Sequence, residues 1–435
     1  MKRRLMVVSL FTLLVNAAFS QTVDTAKLNQ YFNVLAKYNK FLGSVAVSQN
    51  GKLIYSRAVG YTDVENHKAA DENSMYRIGS ITKTFTSALV MKAVEENKLQ
   101  LNQTIAQFYP DIKNADKITI QHLLTHRSGI HNITSLEEYQ TWFTKPKTQK
   151  ELVDIIVRAG SDFEPGVKND YSNSNFILLT LILEKVFKDS YSNLATKNII
   201  KPLNLNRTRY GGKINTANNE AFSYKYTGNW GKEAETDMSI PLGAGAFIST
   251  PTDLVKFADG LFNGKIVSVK SVELMKDSGF GLYKIPFYES TSFGHTGGID
   301  GFRSVYSHFP KEKISYALTS NGTNYDNNNI SIVILSALFG RPYEIPDFSE
   351  FAVSSADLDK YLGNYSSTQI PLKINIIKEG NVLKADVTGQ RVFPLRASAK
   401  DEFKDDNAGV TLLFNAAEKS FKMTQNGREI LFTRN

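Results

Sequence analysis

The sequence predicts an α+β protein in which one antiparallel sheet unites the two ends of a helix-rich stretch, followed by a small antiparallel β-barrel-like unit. Two observations predict it. Strand patterns stand near both ends of the chain up to Gly340, while helical patterns fill the middle. Beyond Gly340 the sequence turns to short strands separated by polar turns at regular spacing, the mark of a meander or small barrel.

In order along the chain, Lys2, Arg3 and Arg4 precede an apolar run from Leu5 to Val15, and Ala18-Phe19-Ser20 places small residues before Gln21. A positive start, a short apolar core and a small-x-small end predict a secretory signal over residues 1–20. The run falls short of the ~20 residues of a membrane span; an uncleaved anchor helix is the competing reading. Leu28 to Tyr38 reads as an amphipathic helix. Gly43–Ser48 and Leu53–Ser56 read as strands joined through Asn50-Gly51, a strong hairpin turn. Arg77-Ile78-Gly79-Ser80 leads into a helical pattern from Ile81 to about Asn97. Gln121–Thr125 and Lys150–Ala159 read as helices, Glu164-Pro165-Gly166 as a turn, and Asn175–Phe187 as a strongly apolar helix. Pro251 and Asp253 open a helix to about Phe262. Phe293–Gly301 is Gly-rich, Ser304–Phe309 and Lys313–Ser320 read as paired strands, and Ile330–Phe339 as a closing helix. Residues 341–355, with Pro342 and Pro346, read as a linker. Strands such as Leu372–Ile377, Val382–Val387, Val410–Phe414 and Ile430–Thr433 follow, with turns at Lys378-Glu379-Gly380-Asn381, Thr388-Gly389 and Gln425-Asn426-Gly427. The expected units are therefore 1–20, 21–340, the linker 341–355, and a β domain over 356–435.

The chain has 435 residues, room for two or three domains at ~100–200 residues each. With 42% hydrophobic and 22% charged residues it reads as an ordinary soluble globular protein. It contains no cysteine, which excludes disulfides, thiol catalysis, Cys-ligated zinc, iron–sulfur clusters and a lipid-modified N-terminal Cys. The net charge is +8, part of it carried by Lys2, Arg3 and Arg4, and no basic run interleaved with aromatics suggests a nucleic-acid partner. An exported, cysteine-free chain fits the bacterial cell envelope, periplasmic or secreted.

Ser80-Ile81-Thr82-Lys83 is the sole Ser-x-x-Lys in the chain. At the start of a helix, positions i and i+3 share a face, so Lys83 can reach the Ser80 hydroxyl. A serine is a poor nucleophile until a base takes its proton, and a lysine whose charge is disfavoured by burial can be that base. Alone, the pair would also suit an ordinary helix cap and a solvated lysine. Tyr171-Ser172-Asn173 follows the Glu164-Pro165-Gly166 turn and directly precedes an apolar helix, where a polar pair can face a cleft. Tyr31, Tyr191 and Tyr325 stand in similar Tyr-x-Asn triplets, but Tyr31 lies within a helix and Tyr191 in a polar segment without such an anchor. Tyr171 with a lowered pKa would be a proton carrier, and Asn173 offers an amide both donor and acceptor. His295-Thr296-Gly297-Gly298 lies in the Gly-rich segment, where small residues let a substrate backbone approach, and the Gly298 N–H is a candidate oxyanion donor beside that of Ser80. His122 and His126, with His131 beyond, have a spacing that suits a metal, but no Glu stands between them. Phe85, Leu89 and Met91 read as core.

These three elements together resemble the serine β-lactamase and penicillin-binding-protein superfamily, with Tyr-x-Asn in the middle as in class C β-lactamases and their esterase and D-peptidase relatives. Leu123-Leu124-Thr125-His126-Arg127-Ser128-Gly129, the Glu164–Leu178 stretch and Gly243–Leu254 resemble further segments of that family, over about residues 25–340. The resemblance implies an antiparallel sheet with flanking helices plus an all-helical lobe, and a lipocalin-like C-terminal barrel. It implies Ser80 as nucleophile, Lys83 as its activating partner, Tyr171 as general acid/base, and Asn173, His295 and Thr296 at the substrate. Backbone N–H groups of Ser80 and Gly298 would bind the oxyanion. No cofactor or metal is implied, and the partner is a small-molecule or peptide substrate, peptidoglycan-derived among the options. Where β-lactamases mostly carry Lys, this chain has His295, mostly neutral near pH 7, so a substrate carboxylate should be held more weakly or in a pH-dependent way. That favours a D-peptidase, carboxypeptidase or esterase over a true β-lactamase; a non-catalytic wall or peptide binder is the reading from another class.

Overall fold

The computed structural model describes residues 23–389, 392–425 and 427–435. The expected signal segment lies outside the described residues, as does Asn426 of the last turn. No described helix is long and apolar enough to cross a membrane.

Among the described residues a six-stranded antiparallel sheet forms the backbone of the larger body, in the order Tyr283–Phe287, Ser290–Ile299, Phe302–Phe309, Ile314–Thr323, Phe41–Gln49, Lys52–Val59. The first strand of the chain thus sits beside the last of the sheet, with Ala46 opposite Ala317 and Val47 opposite Tyr316. Strand alternation sorts the two faces. Val45, Val47, Tyr316 and Leu318 join one core with Leu28, Phe32 and Leu35 of the helix Thr25–Lys37 and Ile330 and Ile334 of Asn327–Leu338. Ala46 and Ala317, on the opposite face, join the larger core, together with Phe257 of Pro251–Phe262 and Phe85 of Thr82–Glu95.

Thr82–Glu95 is buried on nearly every side, which its composition explains: its Leu, Val, Ala and Phe are apolar, and its threonine hydroxyls find backbone and tyrosine partners. Thr84 donates to the Gly281 carbonyl at 2.7 Å, and Thr86 lies 2.7 Å from the Tyr191 hydroxyl. Tyr191 is therefore a core residue, 2% exposed; the polar neighbours Ser190, Ser192 and Asn193 concealed it because Ser190 caps the short helix Tyr191–Ala195. Asn173–Phe187 packs alongside, buried from Ser174 to Leu183.

At the C-terminus, among the described residues, eight antiparallel strands close into a barrel in chain order, from Gly363–Ser366 to Arg428–Arg434, sealed by Tyr365 opposite Arg434. Alternating residues, among them Phe403, Phe414, Phe421 and Phe432, fill its interior. The barrel is tied to the larger body by Asp406, whose carboxylate accepts from Lys40 at 2.7 Å and from two nitrogens of Arg396, each at 2.9 Å.

Candidate active site

Ser80 lies in a single 3-10 turn, Gly79–Ile81, that feeds directly into Thr82–Glu95. Two glycines bring the sheet against it. Gly79 has φ +50°, and a Cβ there would stand 2.8 Å from the Gly298 nitrogen. A Cβ on Gly297 would fall 2.0 Å from the Ile78 carbonyl oxygen. The strand Ser290–Ile299 can lie this close to the serine turn only because neither residue carries a side chain.

The helix start places Lys83 one turn beyond Ser80, with Nζ 2.9 Å from Ser80 Oγ. Lys83 is fully buried, and its amine also donates to Asn173 Oδ1 at 2.8 Å and to the Ala244 carbonyl at 2.7 Å. Burial pushes its pKa well below the ordinary 10.5. As an ammonium it donates to all three oxygens. Stripped of one proton, it keeps two for Asn173 and Ala244, which can only accept, and its lone pair then faces the serine hydroxyl. Tyr171, just before the helix Asn173–Phe187, donates its Oη proton to Ser80 Oγ at 2.6 Å. Burial raises the Tyr171 pKa, with the bond to Ser80 opposing only in part. The direction is opposite to the lowered tyrosine pKa that the sequence reading expected, even though Lys83 Nζ lies 4.8 Å from the centre of the Tyr171 ring.

Asn173 is half-buried and lines the cleft beside Ser80. Besides accepting from Lys83, its Nδ2 donates to Thr134 Oγ1 at 3.1 Å and to Asn132 Oδ1 at 3.3 Å. His295 is 2% exposed; Nδ1 lies 2.5 Å from the Thr296 carbonyl and Nε2 has no partner. Burial first, and the nearby Lys83 second, push its pKa down to about 3, so it is neutral throughout the working range and supplies no pH-dependent charge. Thr296 and Gly298 lie on the exposed face of the same strand, and Gly298 borders the cleft that also receives Ser80. That cleft holds about 380 Å³ and is walled by Tyr139, Phe143, Ile177, Ile240 and Pro241.

The sequence reading gave no role here to Asn132, Thr134 or His126. His126 packs its ring 4.4 Å from that of Tyr171, and its Nδ1 accepts the Ser172 N–H at 3.2 Å. Burial, then Lys83, push its pKa down to about 3. The three histidines go separate ways. The helix Ile120–Leu124 ends before His126, which takes φ +55°, so the i, i+4 spacing of His122 and His126 is not realised on one helix face. His122 closes a capping box with Thr119, and His131 pairs with Asp162 at 2.9 Å. Asp300, which lines the cleft, holds Arg77 behind it at 2.8 Å, and Glu235 holds the same guanidinium at 3.2 Å.

A beta-lactamase family model matches residues 31–338. The chain is 25% identical to penicillin-binding protein 4* of Bacillus subtilis (strain 168), across 92% of this chain and 97% of that protein. It is 27% identical to the teichoic acid D-alanine hydrolase of Staphylococcus aureus (strain NCTC 8325 / PS 47), across 70% of this chain and 79% of that one. The crystal structure of the D-amino acid amidase from Ochrobactrum anthropi SV3 with L-phenylalanine superposes with a TM-score of 0.65 at 25% identity, covering 72% of this chain and 99% of that chain.

Proposed function

The chain belongs to the beta-lactamase family and is a serine hydrolase of that family, and from this premise we propose that it cleaves amide or ester bonds through an acyl-enzyme on Ser80, acting as a D-peptidase or esterase rather than a β-lactamase. The observation that carries the reading is the position of Ser80 Oγ, 2.9 Å from Lys83 Nζ and 2.6 Å from Tyr171 Oη.

The opposite pKa shifts of the two partners divide their labour. Lys83, depressed by burial, is the resting base, and Tyr171, raised by burial, holds the resting proton. Ser80 Oγ attacks the substrate carbonyl as its proton passes to Lys83. The N–H groups of Ser80 and Gly298 receive the oxyanion. Collapse of the tetrahedral intermediate breaks the bond to the leaving group, which takes the Tyr171 proton; the proton that Lys83 took from Ser80 then returns Tyr171 to its neutral form, leaving Lys83 neutral again on the acyl-enzyme. Water repeats the sequence on the acyl-enzyme and releases the acid. His126 holds the Tyr171 ring and Asn173 holds the Lys83 amine. A neutral His295 leaves substrate carboxylates without a fixed partner, which supports amide and ester substrates over β-lactams.

The reading includes cleavage of residues 1–20 and export to a bacterial periplasm or exterior, a catalytic unit over 21–340, and a C-terminal β domain from 356 joined by the linker 341–355. Intact-protein mass spectrometry of wild type and Ser80→Ala tests it, each mixed with a penicillin, a p-nitrophenyl ester and a D-Ala-D-Ala peptide. Ser80-dependent turnover of the ester or peptide is expected. Absence of any Ser80-dependent adduct or product would turn the reading toward a binder.

A further inference from the structure

The cleft beside Ser80 has a charge pattern that selects its substrate. Among the described residues two carboxylates line it, Glu233 and Asp300, and no Lys, Arg or His does. Asp300 is consumed internally: it accepts from Arg77 at 2.8 Å and from the backbone and hydroxyl of Thr236 at 3.0 and 2.6 Å. Arg77 is also matched by Glu235, so its single charge is already exceeded by the two carboxylates around it. Glu233 is different. It is half-buried at the cleft wall, its backbone N–H is bound to the Ser223 carbonyl at 2.9 Å, and its carboxylate has no partner among the described residues.

Among the described residues no cation forms an ion pair with it. Lys83 is beneath the floor and engaged by three oxygens. Lys232 lies over the Phe222 ring. Arg303, beside Gly298, spends one guanidinium nitrogen on the carbonyls of Asp300 and Phe302 at 3.2 and 2.7 Å and keeps its charge at that end, without an ion pair to Glu233. Lys147 and Lys213 line the larger depression on the other side of Glu233, outside the cleft. At the Glu233 end the occupant of the cleft meets a carboxylate without an ion-pair partner among the described residues, and the apolar wall of Tyr139, Phe143 and Ile177. A half-buried carboxylate attracts a cation more strongly than an exposed one, because the wall reduces screening.

We propose that Glu233 receives the free α-ammonium of the substrate, which makes the preferred substrates unblocked aminoacyl amides or esters, small D-aminoacyl groups included, rather than N-acylated peptides. This rests on the Ser80 reading. An α-ammonium has a pKa near ~7.7–8.0 and is charged at pH 7, whereas an N-acyl substrate places a neutral amide against the carboxylate.

The test compares D-alanine p-nitroanilide with its N-acetyl counterpart at pH 7, using wild type, Glu233→Gln, Glu233→Lys and Ser80→Ala, with p-nitrophenyl acetate as a substrate lacking both groups. Wild type should favour the free amine at least ~tenfold in kcat/KM, a difference of about 1.4 kcal/mol. Glu233→Gln should remove most of that ratio and Glu233→Lys should invert it, with thermal midpoints checking that both variants fold. A wild-type ratio near one, or a ratio that neither variant moves, overturns the inference while Ser80-dependent acetate hydrolysis leaves the Ser80 reading standing. Acetate and anilide hydrolysis that both survive in Ser80→Ala overturn both.

Discussion

Replacing Tyr171 by Phe removes one oxygen and keeps the ring against His126. Two separate losses follow. The first is the hydrogen bond from Oη to Ser80 Oγ, 2.6 Å long. A neutral bond of this kind contributes about 1 kcal/mol, so its loss misplaces the nucleophile by roughly fivefold in rate, for every substrate. The second is the proton that Tyr171 holds. Positioned acid catalysis contributes ~10²–10⁴-fold, but only where the leaving group must be protonated to depart. A p-nitrophenolate leaves as an anion and an anilide does not. Tyr171→Phe should therefore slow a p-nitrophenyl ester by less than about tenfold and the matched p-nitroanilide by ~10³-fold or more. Stopped-flow and steady-state kcat/KM on the two substrates measure the difference. Equal losses on both would refute the assignment of the resting proton to Tyr171 and place it on Lys83.

Three further outcomes follow from the geometry. His126 and His295 are held at about 3 in the folded protein against an ordinary 6.5, so unfolding takes up protons and stability, full above pH 6.5, falls as pH drops from there toward 3; His126→Gln should lessen the fall of the urea midpoint across that window, with His295 supplying the remainder, and an unaltered slope would count against it. Gly79→Ala forces a Cβ against Gly298, 2.8 Å from its nitrogen, at φ +50°, and should cost ~10²-fold in kcat/KM by shifting the oxyanion donors while the circular dichroism spectrum is kept. Asp406→Ala strands Lys40 and Arg396, whose side chains are 9% and 12% exposed, and should cost about 3 kcal/mol in chemical denaturation; no change would mean the barrel is held by its apolar contacts alone.

What the sequence made legible follows the range of the interactions. Ser80 and Lys83 share one helix turn, and Tyr171 stands at a helix start, so local spacing sufficed to pair them with their elements. Leu28–Tyr38 and the hairpin at Asn50-Gly51 were legible for the same reason. The contacts of Asn173 with Asn132 and Thr134, and of His126 with Tyr171, arise from segments about forty residues apart that meet only in the folded core. Glu233 carried no signal, because what marks it is the lack of a partner. The Tyr171 shift ran against expectation since a sequence shows which residues are present and hides how much water reaches them. Two- and three-residue strands such as Tyr76–Arg77 and Phe247–Ser249 are too short for any alternation to register.

The sheet that joins Phe41–Gln49 to Ile314–Thr323 also sets a clock. A chain leaving the ribosome exposes Ser80, Lys83 and Tyr171 early, but the strand that presses Gly298 onto the serine turn comes much later, and the one that receives Phe41–Gln49 later still. Contacts between such distant parts of a chain form late. The growing polypeptide therefore carries its reactive side chains through synthesis unassembled, and chemistry switches on only once nearly the whole larger body has been made.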